Sequence, residues 1–186
     1  MIEHYSVLHR EVLEFTKDLR EGYFIDATVG GGGHSYLILQ QNSNLKLIGI
    51  DKDEYALKVA KEKLKDFEGR FTLIKSSFKD IDKVVNDLNV NPIVGVLFDF
   101  GVSHFQLKLP RGFSFQREEP LDMRMDTSSE LTAYYVVNYY SESQLFNIIS
   151  KYGEEKFAKR IAKNIVEYRK KKKIETTKEL ADIVYK

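Results

Sequence analysis

The sequence contains no cysteine among its 186 residues. A chain without cysteine has no disulfide framework, no thiolate nucleophile and no cysteine-type zinc site, which fits a reducing compartment. No apolar run approaches membrane-spanning length, and the opening MIEHYSVLHREVLEF carries acids and histidines where a secretory signal needs an unbroken apolar segment. We therefore expect a cytoplasmic protein of one domain, or of one domain with a small appended lobe.

The net charge of +1 conceals an uneven distribution of charge along the chain. Residues 151–186 carry 12 Lys and Arg against 6 Asp and Glu, or +6, which leaves −5 for residues 1–150. A basic segment beside an acidic body indicates that a polyanion is held at one place on the molecule. A solvated helix end explains the run RKKKK equally well.

Four short apolar runs, each ending at a polar or glycine-rich break, predict buried parallel strands. They are YFIDAT (23–28), KLIGID (46–51), FTLIKSS (71–77) and VGVLFDF (94–100). Between the second and third runs, DEYALKVAKEKL has apolar residues at helical spacing, and Asp53 is placed to cap this helix. The alternation predicts an α/β fold whose parallel sheet has right-handed crossovers.

Beyond Asp99 the pattern changes. Residues 101–130 show no steady period and are predicted to form a long loop, whereas the sequence from Ser141 onward is helical. SESQ and the segment from Thr176 to Glu179 are capping boxes, and Gly153 is placed to break the helical stripes. We expect a core over residues 1–130, including the loop, and a helical lobe over residues 131–186.

The stretch DATVGGGGHS places four glycines between a predicted strand and a helix, where bare backbone can approach a ligand closely. A triphosphate loop is disfavoured because Gly33 is followed by His34, and because no Lys or Arg occurs between Arg20 and Lys46. The dinucleotide fingerprint lacks its third glycine, since Ser35 occupies that position. An NAD-binding oxidoreductase therefore remains a weaker alternative, and a flexible turn is the plainest one.

S-adenosylmethionine carries a sulfonium charge and no phosphate, so its site needs close backbone, carboxylates and aromatic faces. Asp26 and Asp51 close the first two strands, Phe78 follows the third, and Asp99 ends the fourth. Asp51 suits the ribose of either cofactor and does not discriminate between them. Asp99 can face the methyl donor, face the acceptor, or merely cap the next turn.

Six segments together resemble the bacterial MraW/RsmH family: DATVGGGGHS, GIDKDEYAL, LFDFGVSHFQL, RGFSF, PLDMRMD and KYGEEKFAKRIAKNIV. Members of that family are S-adenosylmethionine-dependent methyltransferases acting on N4 of a cytidine in 16S (small-subunit) ribosomal RNA. The resemblance implies a Rossmann-like class I methyltransferase sheet with a helical substrate-recognition lobe. It also implies a set of cofactor contacts, at Gly32, Gly33, His34, Asp51, Phe78, Asp99 and Gln106.

The chain departs from the family pattern in three ways, the first being that its opening has Ser6 and His9 where proline and leucine are usual. It reads VSHFQLK where VSSPQLD is usual, so His104, Phe105 and Lys108 replace a serine, a proline and an acid. Family members also continue beyond the point matched by Lys186, and the missing part supplies the remaining strands. Four strands alone leave the last one as an apolar edge. We expect either a truncated, non-catalytic S-adenosylmethionine- or rRNA-binding form, or a partner chain or rearranged lobe that covers the edge.

For the reaction, we expect Asp99, or a carbonyl within residues 100–103, to accept a hydrogen bond from the cytosine amine. Phe100 or Phe105 would stack on the flipped base. His34 is expected to contact the cofactor rather than to act as a base, and no metal-ligand spacing stands out.

The segment RGFSFQREEPLDMRMD alternates arginines with phenylalanines, as a loop that contacts phosphates and bases would. Arg111, Phe113 and Arg124 are therefore predicted RNA contacts, together with Phe105. Alternatively, the phenylalanines pin the loop, and Arg124 pairs internally with Asp122 or Asp126. In KYGEEKFAKR, Glu154 and Glu155 could support the loop, but we expect them to pair with Lys159 and Arg160 along a helix.

Overall fold

A computed structural model describes residues 6–102, 107 and 109–185 of the chain. The chain divides into two compact units, Met1–Ser103 and His104–Lys186, which we call the sheet unit and the helical unit. Within the described residues, every helix is too short or too polar to cross a membrane.

The sheet unit is built on four parallel strands in the order β3-β2-β1-β4. The strands are β1 (Gly22–Asp26), β2 (Leu45–Asp51), β3 (Phe71–Lys75) and β4 (Ile93–Leu97). The helices of this unit are α1 (His9–Thr16), α2 (Gly33–Gln41), α3 (Glu54–Lys63) and α4 (Ile81–Leu88). The predicted α/β fold with a parallel sheet is confirmed, and Asp53 caps α3 by accepting a hydrogen bond from the Tyr55 amide.

Both faces of the central strands are buried, because consecutive side chains of a strand point to opposite faces. Phe24 and Leu47 belong to one apolar cluster, whereas Ile25 and Ile48 belong to another. Helices also contribute to each cluster: α2 contributes Ile38 and Leu39 to the first, and α4 contributes Val84 to the second. This explains why the strand sequences read as continuous apolar runs.

β4 is an edge strand of the described sheet, since it pairs with β1 on one side only. Its Ile93 and Val96 side chains are 40% and 44% exposed. The expected apolar edge is therefore present. A partner that covers it stays a prediction.

The helical unit contains α5 (Ala133–Tyr139), α6 (Glu142–Gly153), α7 (Ala158–Arg169) and α8 (Thr177–Val184). Both predicted capping boxes are present: Ser141 with Gln144 begins α6, and Thr176 with Glu179 begins α8. α6 ends at Gly153, as expected. The core of this unit brings together Leu121, Val137, Leu145, Ile161, Ala162, Ile165, Ile174 and Ile183.

Residues 109–130 form no helix, and their one described strand-like contact is an isolated bridge between Pro120 and Thr176. Leu121 is buried in the helical core, and its backbone exchanges hydrogen bonds with Glu175 and Tyr134. The structure thus groups this loop with the helices, whereas the sequence analysis placed it with the sheet. The physical reason is that the loop backbone forms hydrogen bonds with Tyr134 at the start of α5 and with Glu175, which lies just before α8.

Candidate functional site

The chain leaving β1 turns sharply between the ends of two neighbouring strands. The Ala27 amide donates to the Leu97 carbonyl of β4, and the Val29 amide donates to the Ile50 carbonyl of β2. Gly30 and Gly32 follow with φ values of +50° and +77°, a left-handed conformation that favours glycine. α2 begins directly afterwards, so the predicted strand–turn–helix arrangement of the glycines is present.

Some of these glycines are packed closely against other parts of the protein, whereas Gly30 borders open space. A Cβ on Gly32 would lie 3.3 Å from the Cα of Ala60 in α3, and one on Gly33 would collide with the Ser6 hydroxyl. A Cβ on Gly30 would meet only the Thr28 carbonyl oxygen, at 3.9 Å. No side chain caps α2, so its first amides remain donors for a ligand.

Asp51, at the end of β2, fastens this turn. Its Oδ2 accepts the Gly30 amide at 2.9 Å, and its Oδ1 accepts the Asp53 amide at 2.9 Å. Burial raises the pKa of this carboxyl, while the two amides act in the opposite direction. Each carboxylate oxygen has a second lone pair, so Asp51 can still accept hydrogen bonds from two hydroxyls.

Asp26, at the end of β1, is enclosed and only 2% exposed. Its Oδ2 accepts the Ser35 hydroxyl at 2.7 Å, and its Oδ1 accepts the Thr28 amide at 3.3 Å. Burial raises the pKa of this carboxyl to about 6, against the hydrogen bond from Ser35. Asp26 therefore holds α2 against the turn.

Asp99 lies just beyond β4 and is exposed. Its backbone amide donates to the Thr28 hydroxyl at 2.7 Å. Since the Thr28 amide is bonded to Asp26, a chain of hydrogen bonds runs from Ser35 through Asp26 and Thr28 to the backbone of Asp99. The glycine turn and the end of β4 are thus held in one geometry.

Three phenylalanines cluster beyond β3 and β4. Phe78 makes edge contacts with Phe98 and Phe100 at centroid distances of 6.1 and 5.4 Å, and the latter two rings stack at 5.6 Å. Phe100 is 71% exposed, and the Lys52 ammonium lies 5.7 Å from the Phe78 centroid. The sequence analysis named Phe78 and Phe100 but assigned Phe98 to a strand. Because β4 ends at Leu97, Phe98 lies beyond the strand and its ring joins this aromatic cluster.

His34 is nearly buried, and its Nε2 donates to the Val7 carbonyl at 2.7 Å. This bond ties α2 to the segment preceding α1. A cofactor contact by His34 stays a prediction. Of the other expected residues, His104, Phe105, Gln106 and Lys108 lie outside the described residues.

The family model described as the MraW methylase family matches residues 1–186. The chain belongs to this family. It is 89% identical over 186 residues to ribosomal RNA small subunit methyltransferase H of Sulfurihydrogenibium azorense, covering 100% of this chain and 64% of that relative. The same-named protein of Persephonella marina is 64% identical over 185 residues, with coverages of 100% and 63%. The chain thus spans a little under two thirds of the length of these relatives.

In this MraW family member, the arginines predicted to contact RNA bond to their own loop. Arg111 donates to the carbonyls of Arg124 and Met125, at 2.5 and 2.8 Å. Arg124 forms a two-pronged pair with Asp122, through contacts of 2.8 and 2.7 Å, which lowers the pKa of that carboxyl. The alternative of internal pairing for Arg124 is therefore what the structure shows. Phe113 is half-buried.

The basic run RKKKK of this family member is also largely engaged. Arg169 donates to the Val137 carbonyl at 2.6 Å and to the Tyr140 carbonyl at 2.5 Å. Lys170 pairs with Glu167 at 2.6 Å, and Lys172 pairs with Glu179 at 2.5 Å. The run therefore stabilises its own unit in large part.

The pairing expected for Glu154 and Glu155 is wrong. Glu155 accepts the Phe157 amide at 2.7 Å, and the Arg160 guanidinium lies over the Phe157 ring at 4.6 Å. Glu154 ends α6 in a left-handed conformation, which turns the chain away from the helix. Across the described parts of the chain, no three His, Asp or Glu side chains converge as a metal site requires.

Proposed function

We propose that this chain carries the S-adenosylmethionine-binding part of a methyltransferase that modifies N4 of a cytidine in small-subunit ribosomal RNA. The observation that carries the proposal is the meeting of the glycine turn, Asp51 and Asp99 at the carboxyl ends of β1, β2 and β4. This is where open α/β sheets bind ligands. Membership of the MraW methylase family and the names of the relatives support methyl transfer to small-subunit ribosomal RNA, and the choice of N4 of a cytidine follows the motif resemblance described above.

The donor set fits the proposed cofactor. Asp51 would accept hydrogen bonds from the ribose hydroxyls, and Phe78 would pack against the adenine. The uncapped amides at the start of α2 suit the carboxylate of the methionine moiety. When bound, S-adenosylmethionine supplies an electrophilic methyl group, and Gly32, Gly33, His34 and Gln106 complete the proposed contacts.

The cytosine amine is a poor nucleophile because its lone pair is delocalised into the ring. Holding N4 in line with the methyl–sulfur bond is worth about 7–11 kcal/mol in well-oriented systems. The exposed Asp99 carboxylate would accept a hydrogen bond from the amine and then its proton, as N4 bonds to the methyl carbon and the sulfur retains the bonding electrons. The Phe100 ring would stack on the flipped base. Phe105, Arg111, Phe113 and Arg124 remain proposed contributors to RNA binding.

A second candidate is a binding form of the same family without catalysis. The exposed edge of β4 favours it, because the strand that precedes Asp99 pairs on one side only in the described sheet and so holds Asp99 less firmly. Methyl transfer to small-subunit RNA above background would exclude this candidate. In either case we place the protein in the cytoplasm with the small ribosomal subunit, where its proposed RNA partner is found.

A calorimetric titration of the 186-residue chain with S-adenosylhomocysteine tests the cofactor site. We expect saturable binding, weakened at least tenfold in Asp51→Ala, because the carboxylate both receives the ribose and fastens Gly30. Asp51→Asn serves as a second variant if the alanine form unfolds. Asp87→Ala, at an exposed acid of α4, is the matched control and should bind like the parent. A folded parent that does not bind would refute the proposed cofactor site.

A further inference from the structure

α5 presents two tyrosine rings to solvent on one side. Tyr135 and Tyr139 are four residues apart, a spacing that places side chains on the same face of a helix. Their rings stack at a centroid distance of 5.1 Å with an interplanar angle of 28°, yet they are 51% and 54% exposed. The two stacked rings form one contiguous exposed apolar patch, and contiguous patches rather than single exposed residues are characteristic of interaction sites.

A positive charge lies over this pair of rings. The Lys173 ammonium is 4.1 Å from the Tyr139 centroid. Its neighbours Lys170 and Lys172 are held by glutamates, whereas Lys173 forms no ion pair with any residue that the structure describes. We call Tyr135, Tyr139 and Lys173 the tyrosine platform.

The surrounding unit favours an anionic partner. The helical unit carries 16 Lys and Arg against 12 Asp and Glu, or +4, whereas the sheet unit carries 13 against 16, or −3. Arg169 adds a further positive charge beside the platform, because its guanidinium binds the Val137 and Tyr140 carbonyls at the end of α5. An anion therefore gains more by approaching this unit than the sheet unit.

We propose that the tyrosine platform binds unpaired nucleotides of RNA, with a base stacked on a tyrosine ring and Lys173 in contact with a neighbouring phosphate. Single-stranded nucleic acid offers flat base faces together with phosphates, which is the chemistry that exposed aromatic rings beside a lysine recognise. Paired bases keep their faces inside the helix and cannot use the rings. The inference rests on the proposed function, since it assigns a surface to the RNA of that reaction.

The test measures binding of the 186-residue chain to a fluorescein-labelled, single-stranded RNA 12-mer of mixed sequence by fluorescence anisotropy. Tyr135→Ala and Tyr139→Ala should each weaken binding about 5- to 100-fold, as the loss of one stacking ring does. Tyr139→Phe keeps the ring and should bind within about twofold of the parent. Lys173→Gln should reduce the slope of log K against log salt concentration by about 0.7.

Tyr152 provides a matched control on α6. It is 75% exposed and has the Lys151 ammonium 5.5 Å from its ring centroid, but no described aromatic ring stacks on it. Tyr152→Ala should leave RNA binding unchanged. Circular dichroism of every variant checks that the helices remain folded.

Several results would overturn the inference. One is parent-like RNA binding by both platform alanine variants, and another is an equal loss of binding in Tyr152→Ala. The inference is also overturned if the parent does not bind the single-stranded RNA, or binds a duplex of the same sequence more tightly. A change of oligomeric state in Tyr139→Ala would overturn it as well, because the tyrosine platform would then be a protein–protein contact. Titration with S-adenosylhomocysteine separates the two proposals, since the platform variants should bind it like the parent.

Discussion

The acid that follows β4 in the sheet unit differs from the arginines of the loop of residues 109–130 in the helical unit in how far its charged group is engaged. The Asp99 side chain is exposed. In the loop, Arg111 donates hydrogen bonds to backbone carbonyls of the loop, and Arg124 donates to loop carbonyls and to the Asp122 carboxylate. A guanidinium has five donors in a rigid fork, so it can crosslink a loop that lacks regular backbone pairing. Arginines in a motif are therefore not by themselves a sign of phosphate binding.

The largest expected effect tests whether the loop belongs structurally to the helices. Leu121→Ala should lower the free energy of unfolding by about 2–5 kcal/mol, because it removes a buried side chain from the helical core. Urea denaturation measures this. Leu131→Ala, at a half-exposed leucine of the same connection, should cost less than about 0.5 kcal/mol. Equal losses in the two variants would break the comparison.

A second prediction concerns the enclosed acid of the sheet unit. Burial raises the pKa of Asp26 to about 6 in the folded chain, whereas the pKa of the same carboxyl in the unfolded chain is near 3.8. Between these values the folded state binds more protons, so rising pH lowers stability, by up to about 3 kcal/mol. Asp26→Asn has no such loss.

Urea denaturation at pH 4, 5, 6 and 7 tests this prediction. The stability of Asp26→Asn relative to the parent should rise across the series, and that of Asp87→Asn, at an exposed acid, should change little. Parallel curves for Asp26→Asn and the parent would mean that Asp26 is not held protonated.

Thr28 connects the buried Asp26 to the exposed Asp99, because its amide donates to the Asp26 carboxylate and its hydroxyl accepts from the Asp99 amide. Thr28→Val removes the acceptor for the Asp99 amide while keeping the shape, so we expect methyl transfer to fall at least tenfold, on the order of what small misplacements of reacting groups cost. S-adenosylhomocysteine affinity should change by less than about threefold. Thr28→Ser keeps the hydroxyl and should restore activity. A loss of affinity without loss of rate would place Thr28 in cofactor binding only.

The smallest effect is expected from Arg111. Because Arg111 donates to the loop carbonyls of Arg124 and Met125, Arg111→Ala should weaken RNA binding by loosening the loop, without altering its salt dependence. The sequence analysis, which treated this arginine as a phosphate contact, predicts instead a shallower slope. Anisotropy titrations at salt concentrations from about 50 to about 200 mM measure this slope and distinguish the two predictions.

Local features were predictable because their causes lie within a few residues. The capping boxes at Ser141 and Thr176 and the cap at Asp53 depend on side chains that reach the next turn of the same helix. α4 also has apolar residues at helical spacing, Ile81, Val84 and Leu88, and this pattern predicts a helix that the sequence analysis overlooked.

The different fates of Asp26 and Asp99 could not be predicted in the same way. Both acids follow apolar strands, and their local sequences are alike. Asp26 ends a central strand and becomes enclosed, whereas Asp99 follows an edge strand and stays exposed. Strand order is a property of the whole sheet. The bonds of Arg111 likewise depend on a loop conformation that no periodicity encodes.

The order of the strands also sets an order of events in folding. Gly22 pairs with Leu45 and Leu47 with Phe71, separations of 23 and 24 residues, whereas Tyr23 pairs with Ile93 across 70 residues. Closing the longer loop costs about 1 kcal/mol more in chain entropy. We expect β1, β2 and β3 to associate first, even while the remainder of the chain is still being synthesised, and β4 to join last. The segment that carries Asp99 is therefore the final part of the sheet unit to become ordered.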